Sequence, residues 1–194
     1  GVTNYSLSVN TEGSYTVVVT NNQNCSKTRT VNVVASNIAI IENISITDLS
    51  DNNSIIVNVS GSGNYEYSID GENYQSSNVF SNVEPGIYTV YVRDINGCGI
   101  ANEEISLLGV PNFFTPNGDG YNDYWNIKGV STTYNTKTTI HIFDRYGKLL
   151  KQISPLSKGW DGTYNGKSMS SSDYWYVINL EDGRTFKGHF SLKR

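Results

Sequence analysis

The sequence predicts an all-β protein of tandem immunoglobulin-like β-sandwich domains, and three observations carry that expectation. Val, Ile and Thr together number 50 of the 194 residues, whereas Ala, Leu and Met together number 13. β-Branched side chains are stiff at χ1 and favour strands over helices. Apolar residues alternate over short runs, and turn pairs such as Asp70-Gly71, Pro85-Gly86, Tyr146-Gly147 and Asp182-Gly183 punctuate them. Apolar residues make up 37% of the chain, enough to build cores rather than leave it disordered.

Taken from the N-terminus, the first element is one half of an internal repeat. Gly13-Ser14-Tyr15-Thr16-Val17-Val18-Val19 matches Gly86-Ile87-Tyr88-Thr89-Val90-Tyr91-Val92, Asn21 falls on Asp94 and Cys25 on Cys98, all at an offset of 73 residues. A second strand is expected after each Cys, over 29–34 and 104–108, so the unit is about 70 residues ending in a hairpin. The first copy has too little chain before Tyr15 and reads as a partial repeat, residues 1–36, truncated at its N-terminus; the second, residues 37–108, reads as complete. Strands are expected there over 54–59, 65–69, 79–80 and 88–92. The remaining domain, residues 109–194, is expected to be β again, with strands over 139–143, 148–153, 174–180 and 185–192. Its Asp182-Gly183 lies between two alternating runs, a strong hairpin signal.

Charge marks the same boundary. Residues 1–108 carry 3 Lys+Arg and 11 Asp+Glu, net −8, and residues 109–194 carry 11 and 7, net +4. Such asymmetry suggests two different jobs. The overall charge of −4 argues against a nucleic-acid partner, which needs a basic face. No run of about 18 apolar residues occurs, so no helix is expected to span a membrane. The opening Gly1-Val2-Thr3-Asn4 has neither the basic nor the apolar region of an export signal.

Catalytic chemistry has little to draw on, and no enzyme is expected. No nucleophile elbow, phosphate-cradling glycine loop or zinc-type Cys/His spacing occurs. His141 and His189 alternate onto strand surfaces. Cys25 and Cys98 hold equivalent points in successive repeats, which separates them beyond the ~7 Å a disulfide allows; Cys98 is expected to be a buried or half-buried thiol. One cluster invites a cation. In Asn117-Gly118-Asp119-Gly120-Tyr121-Asn122-Asp123, the oxygens of Asn117, Asp119 and Asp123 alternate around glycines, as in loops that bind Ca²⁺. The competing reading is an Asx-rich turn bonding its own backbone. Trp125, Trp160 and Trp175 raise a second alternative, a carbohydrate-binding β-sandwich module of a secreted enzyme, which would need an exposed aromatic face.

Specific motifs then narrow the reading. The run 110–123, Val-Pro-Asn-Phe-Phe-Thr-Pro-Asn-Gly-Asp-Gly-Tyr-Asn-Asp, resembles the opening of the gliding-motility-associated C-terminal domain, the type B sorting domain of the Bacteroidetes type IX secretion system. Ile142-Phe143-Asp144-Arg145-Tyr146-Gly147, the stretch from Trp160-Asp161-Gly162 to Lys167, Asp173-Tyr174-Trp175-Tyr176 and the closing Lys187–Arg194 follow in family order. Ser170-Ser171-Ser172 departs from the Pro/Gly turn of many members. The repeats, with Tyr65-Glu66-Tyr67-Ser68-Ile69-Asp70-Gly71 and Asp94-Ile95-Asn96-Gly97-Cys98, resemble those of SprB-like gliding-motility adhesins. The resemblance implies the C-terminal end of a large cell-surface adhesin, exported by the type IX translocon and attached to the outer membrane through a protein of the PorP/SprF family. In that reading Phe190, Leu192, Lys193 and Arg194 form a terminal strand and cationic tip that a partner reads by strand addition or through acidic groups. Equally, Phe190 and Leu192 are core and the tip is solvated.

Overall fold

The structure, a computed structural model, describes residues 6–50 and 52–194. The opening tetrapeptide, and the first five residues of the partial repeat, lie outside the described residues. Among those described the fold is all-β with no helix, in sandwich-like units. The strands are β1 (Gly13–Thr20), β2 (Ser26–Val33), β3 (Ile40–Thr47), β4 (Ser54–Ser60), β5 (Tyr65–Ser68), β6 (Val79–Ser81), β7 (Gly86–Asp94), β8 (Ile100–Leu107), β9 (Phe113–Phe114), β10 (Thr139–Phe143), β11 (Leu149–Ile153), β12 (Thr163–Tyr164), β13 (Lys167–Ser168), β14 (Ser172–Asn179) and β15 (Thr185–Leu192).

β1 and β2 form an antiparallel hairpin by themselves. The complete repeat packs two three-stranded sheets, β3-β4-β6 against β5-β7-β8. Ile55, Val57 and Phe80 from the first sheet share a core with Tyr67, Val90, Val92, Ile105 and Leu107 from the second. β3 was not among the expected strands because its register against β4 shifts between Ile41 and Asn43. Such a bulge breaks the apolar alternation that marks a strand in sequence. Cys98 is exposed rather than buried, because it lies in the β7–β8 turn; neither it nor Cys25 is bridged.

The last domain is a five-stranded sheet of order β11-β10-β14-β15-β9 with a small β12–β13 hairpin. All its pairings are antiparallel except that of β9 with β15. Against the sheet's inner face pack Leu108, Trp125, Ile127 and Trp160. Leu108 directly follows β8, yet its side chain belongs to this second core. The two units interlock there: Leu49 N–H donates to Leu108 O at 3.1 Å, Ser106 Oγ to Gly129 O at 2.6 Å and Tyr134 Oη to Glu104 O at 2.8 Å. Arg184 Nη1 lies 2.8 Å from the well-covered Asp48 carboxylate. Gly129, at φ +81°, has no space for a side chain, since a Cβ would meet Leu107 O at 2.2 Å.

One hairpin is used three times. In β1–β2, β7–β8 and β14–β15 the first residue of the leading strand pairs with the last of the returning one: Gly13 with Val33, Gly86 with Leu107, Ser172 with Leu192. In each, the third residue is a tyrosine whose hydroxyl donates to the carbonyl four residues upstream: Tyr15 to Thr11, Tyr88 to Glu84, Tyr174 to Ser170. This is the tyrosine corner of immunoglobulin-like sandwiches. The copies differ in what covers them. Val90 and Val92 are fully buried under the β3-β4-β6 sheet, whereas their counterparts Val17 and Val19 are 52% and 65% exposed.

Asp94 anchors the complete repeat to the segment that enters it. Its carboxylate accepts from Ser36 Oγ at 2.7 Å, Asn64 N–H at 3.2 Å and Cys98 N–H at 3.2 Å. These donors, the Ser36 hydroxyl foremost, hold its pKa down to about 2 against an ordinary 3.8. A depressed carboxylate stabilises the fold above its unfolded pKa and loses that contribution as pH falls through the folded one. Thermal melts should therefore show the complete repeat losing stability between about pH 4 and pH 2. Asp94→Asn should flatten that limb, leaving the part due to Asp70, whose carboxyl is lowered further still by Asn73, Glu72 and Ser68 donors.

Candidate functional site

The segments that singled out the last domain converge on its terminal strand. Phe190 is wholly buried, with its ring centroid stacked 3.8 Å from that of Trp125. Trp160 meets it edge-on at 6.0 Å and Phe114 at 5.9 Å. Trp125 and Trp160 exchange backbone hydrogen bonds of 2.9 Å in both directions, and each indole N–H is satisfied, by Pro111 O and Thr163 O respectively. Buried aromatic pairs in such geometries contribute about 0.5–1.5 kcal/mol beyond their area. Leu192 is equally buried and sits over Gly162, where a Cβ would come within 2.7 Å of it.

The tip beyond the strand is held, not free. β9 pairs in parallel with Ser191 and Leu192, and Lys193 N–H donates to Phe114 O at 3.0 Å. The Lys193 ammonium lies 4.4 Å from the Phe113 ring centroid. Arg194 donates from its backbone to Ser171 Oγ at 3.1 Å and from Nη2 to Gly162 O at 3.3 Å. Of the four residues expected to meet a partner, Phe190, Leu192, Lys193 and Arg194, the first two are in the core. Phe190 and Leu192 point into the core because strand residues alternate, and β9 already occupies the edge that an added strand would use at 191–193. Lys193 and Arg194 remain exposed.

Asn117, Asp119 and Asp123 are brought into one exposed loop, which bonds itself. Asp123 accepts from Gly118 N–H at 2.6 Å and Gly120 N–H at 2.8 Å, one on each oxygen. Asp119 accepts from Tyr121 N–H at 2.8 Å through Oδ1 and from Asn117 Nδ2 at 2.8 Å through Oδ2; these donors lower its pKa. Among the described residues no group of three or more His, Cys, Asp and Glu side chains is placed to hold a metal ion. The arrangement is that of consecutive Asx turns.

The outer face of the five-stranded sheet is the surface that reading the sequence missed. Trp175 is 41% exposed there, while Trp125 and Trp160 are buried. His189 pairs with it on one side and Phe143 on the other. An open crevice between the units is lined by Leu49, Asn53, Glu84, Pro85, Val110 and Tyr176, with one carboxylate and no histidine.

Residues 108–192 match the family model described as the CHU_C type IX secretion signal domain, which supports a C-terminal sorting domain over that part of the chain. Loose likenesses to solved structures follow. Dimeric latent PorU from Porphyromonas gingivalis is 14% identical, with a TM-score of 0.31, over 93% of this chain and 24% of that one. The BSP domain of a biofilm-associated protein is 14% identical, with a TM-score of 0.29, over 77% and 29%. The 47-kilodalton lipoprotein Tp47 of Treponema pallidum is 9% identical, with a TM-score of 0.29, over 89% and 56%. The chain thus spans from about a quarter to just over half of the length of these structures. No curated protein matches it.

Two measurements check this geometry. Removing Lys193 and Arg194 takes away three hydrogen bonds but no core side chain, so the urea midpoint should fall by the equivalent of about 1–2 kcal/mol with the fold retained. Asp123→Ala leaves two loop N–H groups without their acceptor and should lower stability by about 1 kcal/mol. Because those oxygens are engaged by the backbone, chelator should leave the melting temperature of the wild-type chain unchanged; a fall on chelation, abolished by Asp119→Ala, would assign the loop to Ca²⁺.

Proposed function

We propose that this chain is the C-terminal end of a large cell-surface adhesin of the gliding-motility type. Its repeat units serve as stalk and carry no chemistry. Its last domain is read by the type IX machinery and then held at the outer membrane by a protein of the PorP/SprF family. The observation that carries the reading is the convergence of the sorting-domain motifs on one clamp: Phe113-Phe114 and Trp160-Asp161-Gly162 both grip the terminal strand and its tip. A signal that must be recognised as a folded unit gains from having its chain end fixed, since a frayed end presents no constant surface. The opposed net charges of the two parts fit a division between stalk and signal.

The second reading, a carbohydrate-binding module, rests on Trp175 alone. The burial of Trp125 and Trp160 counts against an aromatic platform of several rings.

Fusion of residues 109–194 to an exportable reporter, in a bacterium with a type IX system and the PorP/SprF-family partner co-expressed, should place the reporter on the cell surface. A fusion of residues 1–108 should leave it in the periplasm. The reverse distribution would overturn the assignment of roles.

A further inference from the structure

A transverse row of side chains crosses the outer face of the last domain's sheet. Pairing places Leu149 of β11 beside Phe143 of β10, Phe143 beside Trp175 of β14, and Trp175 beside His189 of β15. All four lie on the face opposite the core, because their neighbours Leu150, Ile142, Tyr174 and Phe190 are buried. Leu149 is 47% exposed and Trp175 41%; the Trp175 and His189 rings lie 6.3 Å apart. The next row inward, Gln152, His141, Val177 and Lys187, adds one more apolar group and a cation. Leu149 and Trp175 are thus exposed, with Phe143 and Val177 half-buried beside them, and a contiguous apolar strip on a folded surface marks a contact site.

The position and charge of the row indicate what covers it. The contacts with the preceding repeat run through Leu108, Gly129, Tyr134 and Arg184, and Arg184 adjoins the row Thr139, Asn179, Thr185. The aromatic row lies four residues further along the strands, about 13 Å away at the strand rise, beside the terminal tip. It therefore lies at the end of the sheet away from the contacts with the preceding repeat. Lys187 and Lys151 stand on or beside it, with Arg145 and Lys148 in the adjoining β10–β11 turn. The two nearby carboxylates are engaged locally: Asp173 accepts from Ser191 Oγ, and Asp144 from Tyr146 and Lys148 N–H groups. The two carboxylates keep their charge, so four cations against two leave the surroundings of the apolar strip with an excess of positive charge.

We propose that this strip, Leu149-Phe143-Trp175-His189, is the surface through which the sorting domain docks on its outer-membrane protein partner, against an apolar patch edged by carboxylates. The inference rests on the export and anchoring role proposed above and names its contact surface. Charge complementarity selects an acidic rim, and an exposed Trp central to an apolar strip is the composition of an interface hot spot. A sugar ligand fits less well. An aromatic platform needs several exposed rings, and of the three tryptophans Trp125 and Trp160 are buried while Trp175 alone is exposed.

The test uses the full chain fused to a surface-display reporter in a type IX-competent bacterium. Trp175→Thr and Phe143→Thr keep strand propensity and remove no residue of the core cluster, so the chain should stay folded with its melting temperature lowered only by the lost cross-strand pairs, while surface display falls about tenfold or more. Lys187→Glu should reduce display in the same direction. A photo-reactive phenylalanine at position 175 should form an adduct with a PorP/SprF-family protein, and one at Ile95, in the repeat, should not. If the wild-type fusion itself is not displayed, the export reading fails and takes the strip with it. If wild type and both Thr variants are displayed equally and position 175 gives no adduct, the strip alone is refuted. Self-association of the purified chain that Trp175→Thr abolishes, or binding of a neutral oligosaccharide that it abolishes, would likewise overturn the proposal in favour of a second copy or a sugar.

Discussion

Phe190 lies one residue from the tip-binding segment of the chain, yet its ring is stacked on Trp125 and enclosed by Trp160, Tyr174 and Phe114. The order of the last domain follows from that enclosure. Trp125 and Trp160 must lie side by side to roof the ring, which their reciprocal backbone hydrogen bonds secure. Gly162 must follow Trp160 closely so that Leu192 can settle over it without a clash. Phe114 must approach from the sheet edge, which brings β9 alongside β15 in parallel. Truncating such a buried aromatic side chain typically costs about 3–5 kcal/mol, so the end of the chain here is part of what holds the domain together.

The same hairpin serves three different surroundings. Each tyrosine corner fixes the crossing into the leading strand, and the tyrosine then pairs across the hairpin with Val31, Ile105 or Phe190. The inner face of the leading strand is apolar or aromatic in every copy: Tyr15, Val17 and Val19; Tyr88, Val90 and Val92; Tyr174, Tyr176 and Ile178. In the complete repeat a second sheet covers it, and in the last domain the tryptophan layer does. The β1–β2 copy shows the bare element, with its valines in solvent among the described residues. A two-stranded hairpin alone is marginal in water, so the comparison locates the stability of each unit in the covering layer rather than in the hairpin.

Much of this was legible in the residues, and the exceptions have physical causes. The alternating runs placed most long strands. β3 escaped because its bulge interrupts the alternation, and β9, β12 and β13 because two residues are too few to show a period. The kinship of β14–β15 with the repeats escaped because Ser172-Asp173-Tyr174 shares only its tyrosine with Gly13-Ser14-Tyr15 and Gly86-Ile87-Tyr88. What they share is a register and a hydrogen bond, not a composition. At the candidate site, alternation alone cannot say which face of Tyr174-Trp175-Tyr176 is inner, since both are aromatic. The packing of Phe190 on its neighbours decides it, turning Tyr174 inward and leaving Trp175 in water.

The parallel pairing of β9 with β15 has a mechanical meaning. β9 lies near the point where the chain enters the last domain, and β15 ends where the chain does. A pull between those two ends runs along both strands in opposite directions. The bonds from Ser191 N–H to Asn112 O and from Lys193 N–H to Phe114 O lie across that pull and are loaded together. An antiparallel pair tugged from one open end would instead yield one bond at a time, like a zipper. The domain therefore meets tension in shear, with Phe190 and Leu192 buried directly behind the loaded bonds.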